Sequence, residues 1–178
     1  MSLYRRAWLP GGTWFFTVNL RRRRENRMLI EKIHLLRSAF RTVQQRHPFD
    51  IEAAVILPDH LHCVWTLPPG DTDFPKRWSL IKSYFSRHMP RNERIDPSRL
   101  SKKERGIWQR RYWEHRIRDD QDFIRHVDYI HWNPVKHGYV ECAADWPYST
   151  FHDWVRHGIY HEAWGGHGPP NVEAGEKY

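Results

Sequence analysis

DIEAAVILPDHLHCVWTL, residues 50–67, reads as two β-strands folded back on one another. Asp50 to Leu57 and His60 to Leu67 are both rich in β-branched, aromatic and other apolar residues, and Pro58-Asp59 turns the chain between them. So short a link joins strands in antiparallel fashion. Side chains two apart in a strand share a face. His60 and His62 therefore project together, while Leu61, Cys63, Trp65 and Leu67 take the opposite side. Two imidazoles held by one rigid strand can converge on an ion. Thirteen histidines in 178 residues make an HxH easy to obtain by chance, so the pair alone does not separate a metal site from two unrelated side chains.

Outward from this hairpin, TWFFTVNL at 13–20 follows Gly11-Gly12 and reads as a further strand. Ile33, Leu36, Phe40 and Val43 fall at helical spacing and predict a helix over about 30–46, ended by His47-Pro48. A second amphipathic helix is expected over 74–88, with Trp78, Ile81, Phe85 and Met89 on one side. Residues 90–107 are polar and rich in turn formers, which predicts a mobile basic loop. WEHRIR at 113–118 predicts the last strand. Asp119-Asp120 opens a third helix that Pro134 should end or kink near Asn133. The order β-α-β-β-α-β-α implies an α+β fold: an antiparallel sheet with helices packed on one face, of the ferredoxin-like or split βαβ type. The expected division is a domain over 1–150 and a C-terminal arm over 151–178.

Composition narrows the partners. The net charge is +8, and fourteen Lys or Arg face four acids between Lys76 and Arg118. Residues 21–24 are four consecutive arginines. Arginine suits planar, bidentate phosphate recognition. Aromatic residues make up 15% of the chain, ten of them Trp, and aromatics stack on unpaired bases. A solvated basic face, nucleic acid and an anionic membrane surface all fit such charge. Nucleic acid is favoured, because no long apolar span or amphipathic anchor accompanies it. Two cysteines without metal-site spacing suggest neither zinc cage nor disulfide scaffold, so a reducing cytoplasm is expected.

YIHWN, residues 129–133, supplies the second chemical feature. Positions four apart on a helix share a face, so Tyr129 and Asn133 can reach one spot. A buried amphipathic tyrosine would look the same in isolation. Taken with the histidine pair, the combination suits phosphodiester chemistry. A divalent ion on two neutral imidazoles and an amide oxygen neutralises the phosphate. A tyrosine hydroxyl can then form a covalent intermediate. Lys136 and His137 follow at positions from which they could contact phosphate; ordinary surface placement fits them equally.

PDHLHCVW at 58–65 resembles the HUH motif region of single-tyrosine transposases. YIHWNPVKHG at 129–138 resembles the catalytic-helix motif of the REP-associated tyrosine transposases, and WPYS at 146–149 and GGTWFFT at 11–17 are similar to that family's flanking segments. The resemblance spans about residues 11–150. It implies an HUH-endonuclease fold, His60, His62 and Asn133 as ligands to Mg²⁺ or Mn²⁺, and Tyr129 as the nucleophile that takes the 5′ phosphate. It also implies a substrate: single-stranded DNA hairpins of repetitive extragenic palindromes (REP), preceded by a GTAG-type tetranucleotide. Arg21, Arg22, Arg23, Arg24, Lys102, Lys103, Arg110, Arg111, Lys136 and His137 are the candidate DNA contacts, with the C-terminal arm. The setting implied is the bacterial cytoplasm, in association with the nucleoid and without a membrane. Monomer and homodimer both remain open. A non-cleaving, hairpin-binding regulator is the nearest alternative; a replication-initiator or relaxase-type nuclease and a structural metal protein are more distant ones.

Overall fold

The computed structural model describes residues 11–91, 95, 97–102 and 104–165. Four strands form one antiparallel sheet: β1 (Thr13–Asn19), β2 (Asp50–Ile56), β3 (His60–Thr66) and β4 (Trp113–Arg116), in the order β2-β3-β1-β4. The β2–β3 hairpin forms as expected, with β3 paired to β1 on its other side. The helices are α1 (Met28–Glu31), α2 (Ile33–Arg46), α3 (Phe74–Arg87), α4 (Pro97–Leu100), α5 (Asp120–Lys136) and α6 (Phe151–Arg156). No helix among the described residues is long and apolar enough to cross a membrane.

Strand alternation divides the core in two. Trp14, Phe16 and Val18 of β1 and Leu61, Cys63 and Trp65 of β3 bury one sheet face under α2 and α3. Trp65 and Trp78 stack there at 4.2 Å. Phe15, Ala53, Val55 and Val64 line the other face, covered by Val127, Tyr129 and Ile130 of α5 and by Trp146. The expectation of helices on one face is thus corrected: α5 closes the opposite face. The reason is visible in β1, whose five central residues are all buried. A continuous apolar run, rather than alternation, marks a strand covered on both sides.

Two further differences concern the end of α5 and the segment 90–107. α5 runs through Pro134 to Lys136 instead of ending at Asn133. Pro134 stands in the last turn, where its missing N–H forfeits a single helical bond. The end is then fixed beyond it: Gly138, at φ +69°, lets its own N–H reach the Val135 carbonyl while the Tyr139 N–H reaches that of Pro134. Within the segment expected as a mobile basic loop, α4 forms a single turn, and Arg99 and Arg105 are engaged. Arg99 and the following Arg110 pair with Glu104, and Arg105 bonds the carbonyl of Ser86 in the last turn of α3 and those of Met89 and Pro90 beyond it. From Ser149 to Trp154 the chain packs against β2. Ser149 bridges to Val55, Phe151 is fully buried, and the Trp154 indole N–H donates to the Glu52 carbonyl. Residues 166–178 of the expected arm lie outside the described residues.

Candidate active site

His60 and His62 emerge from β3 onto the face that α5 covers, with ring centroids 5.0 Å apart and planes nearly perpendicular. Both are buried. Each is held through Nδ1. His60 Nδ1 lies 2.6 Å from an Asp59 carboxylate oxygen, and the Arg23 Nε–H donates to the other at 2.7 Å. A carboxylate only accepts, so Nδ1–H is the donor of this pair. His62 Nδ1 is 2.8 Å from Thr17 Oγ1, directly across the β1–β3 ladder. Carboxylate or hydroxyl support behind a histidine is the outer-shell arrangement that fixes tautomer and ring orientation at metal sites.

Tyr129 brings the phenol from above. Its ring lies 5.3 Å from that of His62, edge to face, and 6.0 Å from Phe15. Asn133 follows one turn later and is fully buried. Because α5 continues unbroken past Pro134, Lys136 and His137 are carried back to the same site. Lys136 Nζ lies 3.5 Å from the Tyr129 hydroxyl and 4.7 Å over its ring, and the His137 ring is 5.4 Å from that of His60.

Burial pushes the His62 imidazole well below its ordinary range, helped by the neighbouring charges of His60, His137, Lys136 and Arg23. His137 is lowered to about 4 for the same reasons. Burial alone would raise Asp59, but the hydrogen bonds from His60 and Arg23 outweigh it and hold the carboxyl at about 2. The site therefore presents neutral His62 and His137 imidazoles beside an ionised Asp59 carboxylate, and a neutral imidazole is the form that binds a metal.

Whether the residues fit a divalent ion is tested by their unmet hydrogen bonds. His62 Nε2, both side-chain polar atoms of Asn133, and Asn19 Oδ1 are buried without a hydrogen-bond partner. Asn19 sits on the same face, opposite His60 in the ladder. Leaving such groups unpaired costs roughly 1–3 kcal/mol each, and an ion among them would satisfy the acceptors. The set contains no thiolate, because Cys63 lies on the other face. A mixed nitrogen and oxygen set suits Mg²⁺ or Mn²⁺ better than the thiolate-rich cages of structural zinc.

Among the described residues, one other grouping has metal-like spacing. The ligating atoms of His115, Asp122 and His126 lie within 4.8 Å of one another. Its chemistry is otherwise committed. The Asp122 carboxylate takes His115 Nε2 at 2.9 Å, the Arg118 Nε–H at 3.1 Å and Arg125 at 3.4 Å, while the His126 Nδ1–H donates to the Asp122 carbonyl at 2.7 Å. A cation there would have to displace guanidinium groups from their carboxylate. The cluster reads as a clamp between β4 and the start of α5.

The remaining candidates divide. Arg23 serves Asp59; Arg22 and Arg24 are exposed, Arg24 standing 3.8 Å from Glu25, and Arg21 is partly buried. Arg23, Arg24 and Arg27, with Asn26, line an open cleft of about 760 Å³ that reaches Asp59 and Tyr139. Lys102 and Arg111 are exposed, Arg110 is tied to Glu104, and Lys103 lies outside the described residues. Lys102, Lys82, Arg87 and Arg105 line a second cleft of about 580 Å³ beside α3. Thr17, Asp59, Asn19 and Arg27 were not singled out in the sequence. Asp59 stood next to the histidine motif, but Thr17 meets His62 across 45 residues and leaves no local signal.

A sheet-borne histidine pair lies beneath a helix-borne tyrosine, and residues 15–133 match the family model described as "Transposase IS200 like". The chain belongs to that family, and within it with the REP-associated tyrosine transposases. An Escherichia coli (strain K12) protein of that name is 48% identical over 166 residues, covering 93% of this chain and 92% of the relative. A Haemophilus influenzae relative is 47% identical over 167 residues, covering 93% and 94%. A solved structure of a REP-associated tyrosine transposase bound to a REP hairpin superposes with a TM-score of 0.83 at 46% identity, over 100% of this chain and 99% of that one.

Proposed function

We propose that this chain cuts and rejoins single-stranded DNA by transesterification, with Tyr129 as nucleophile. The observation that carries the reading is the meeting of three groups in one chain. The Tyr129 ring lies 5.3 Å from His62, the Lys136 ammonium is 3.5 Å from the phenol oxygen, and His62 Nε2 and the Asn133 amide are buried without partners. In this reading the Tyr129 oxygen attacks the scissile phosphorus, the bond to the 3′ oxygen breaks, and a 5′-phosphotyrosine and a free 3′ hydroxyl result. Attack by a 3′ hydroxyl on the phosphotyrosine reverses the step and releases the phenol. The bond energy stays in the covalent link, so no nucleotide cofactor is needed. Lys136 stabilises the phenolate as it attacks and as it leaves, by a charge at close range. Asp59 and Thr17 hold His60 and His62 through Nδ1, His62 Nε2 has no hydrogen-bond partner, and Asn133 offers its amide oxygen. A bound Mg²⁺ or Mn²⁺ would supply neutralisation of the phosphate and polarisation of a nonbridging oxygen.

The proposed substrate is a REP-type hairpin with a GTAG-type tetranucleotide on its 5′ side. The structural relative's bound REP hairpin and the two basic clefts support it. The bacterial cytoplasm, at the nucleoid, is the corresponding location.

The test is incubation of labelled single-stranded hairpin DNA with the protein and Mg²⁺ or Mn²⁺. A labelled adduct that survives denaturation is expected for the wild type and absent for Tyr129→Phe, with hairpin affinity unchanged. Equal binding by both, with no adduct from either, would favour the non-cleaving regulator.

A further inference from the structure

β4 is an edge strand, and its first residue faces the catalytic side of the sheet. Trp113 stands opposite Thr17 in the β1–β4 ladder, and Thr17 stands opposite His62 in the β1–β3 ladder. His62, Thr17 and Trp113 thus form one row across three strands. Adjacent strands lie roughly 4.8 Å apart, which puts the Trp113 backbone roughly 10 Å from that of His62. Phe15 links the parts. Its ring lies 5.5 Å from Trp113, 5.7 Å from His62 and 6.0 Å from Tyr129.

Trp113 is nevertheless 42% exposed, one of four large apolar side chains so exposed among the described residues. Its orientation is fixed from behind. The indole stacks on His115 at 5.8 Å and 7°, and His115 stacks on His126 at 4.6 Å and 14°. Asp122 anchors that column by bonding the His115 ring and, through its carbonyl, the His126 ring. A ring supported on one side, braced edge-on by Phe15 and open elsewhere is a ready-made stacking surface. Holding it in place beforehand removes most of the ordering cost of binding.

We propose that Trp113 is a stacking platform for an unpaired nucleobase within one or two nucleotides of the scissile phosphate, a proposal that rests on the reading of Tyr129 and the histidine pair as the cleavage site. The occupant is a base rather than a protein side chain, because the platform shares a row with His62 and is continuous with His62 and Tyr129 through Phe15. Stacking is indifferent to base identity, so Trp113 positions the strand and does not read its sequence. Its effect falls on the register of the phosphate beneath Tyr129.

The experiment uses the full chain and a set of hairpin oligonucleotides, each with one abasic site in the unpaired flank. The wild type should lose roughly 5- to 100-fold in cleavage rate when one particular base is removed. Trp113→Ala should show a similar loss on the intact oligonucleotide and no further loss on that abasic one. Trp113→Phe should recover part of the rate. Affinity for the hairpin stem, measured with a flankless hairpin, should be unchanged in both variants. The inference is overturned if Trp113→Ala cuts the intact substrate at the wild-type rate, or if the abasic penalty persists undiminished in the variant. It is equally overturned if the substitution acts by splitting a dimer joined through β4. Failure of the wild type to cut any oligonucleotide would instead strike at the cleavage reading itself, and would leave the same abasic set to be read by equilibrium binding, where loss of the Trp113-dependent contact decides the platform.

Discussion

Removing the Asp59 carboxylate should weaken metal binding and neutral-pH stability together, because one side chain serves both. Asp59 is 8% exposed, bonds His60 Nδ1 at 2.6 Å and accepts from Arg23 at 2.7 Å. Loss of an outer-shell partner of a metal-binding histidine costs roughly 10- to 100-fold in affinity, about 1.4–2.7 kcal/mol. Asp59→Ala should fall near the upper end, and Asp59→Asn, which keeps an acceptor oxygen, near the lower. The metal-free protein should also lose stability. The carboxyl is held at about 2 against an ordinary 3.8, a difference worth about 2 kcal/mol at pH 7. A depressed carboxyl stabilises the fold above its unfolded value and loses that contribution as pH falls through the folded one. The gap between wild type and Asp59→Ala should therefore be full at pH 5 and above and close between pH 4 and 2. For a chain of this size it corresponds to roughly 4–8 °C in Tm. The measurements are calorimetric titration with Mn²⁺ and thermal unfolding in chelator across that pH range. Wild-type Mn²⁺ affinity in Asp59→Ala, alongside loss of binding in His62→Ala, would refute the reasoning.

Thr17→Val keeps the shape beside His62 but removes the oxygen at 2.8 Å; Mn²⁺ affinity should drop roughly 10-fold by the same calorimetry, with little change in fold. Lys136→Gln should slow adduct formation by roughly 10²-fold or more while leaving Mn²⁺ affinity intact, with partial recovery in Lys136→Arg, followed by single-turnover gel assays. Burial lowers Lys82 to about 8 from 10.5, so its charge burdens the fold at neutral pH by about 3 kcal/mol, offset by loss of the bond to the Gln109 carbonyl when it is replaced. Lys82→Met should raise stability at pH 7 by about 2 kcal/mol, with the advantage shrinking as pH rises from 8 through 10.5, read by denaturant unfolding. Gly138→Ala should cost roughly 1 kcal/mol, since φ +69° strains any side chain there although nothing crowds the Cβ position.

The parts of this molecule legible in the sequence are those whose signal is local. Alternation in HLHCVWT set His60 and His62 against Leu61, Cys63 and Trp65, and the sheet keeps that division. The spacing of Tyr129 and Asn133 likewise survives in α5. What escaped was decided by contact between distant segments. No pattern within 113–118 could say that Trp113 would lie in a row with His62, because that follows from β1 standing between β3 and β4. Pro134 misled for a related reason. Its local preference is to stop a helix, yet the bonds at Gly138 and Tyr139 complete the helix end beyond it. That extra turn is what returns Lys136 to the Tyr129 hydroxyl and His137 to His60. A helix ended at Asn133 would have left the Tyr129 phenol without the Lys136 ammonium, so the feature hardest to read locally bears directly on the proposed chemistry of the site.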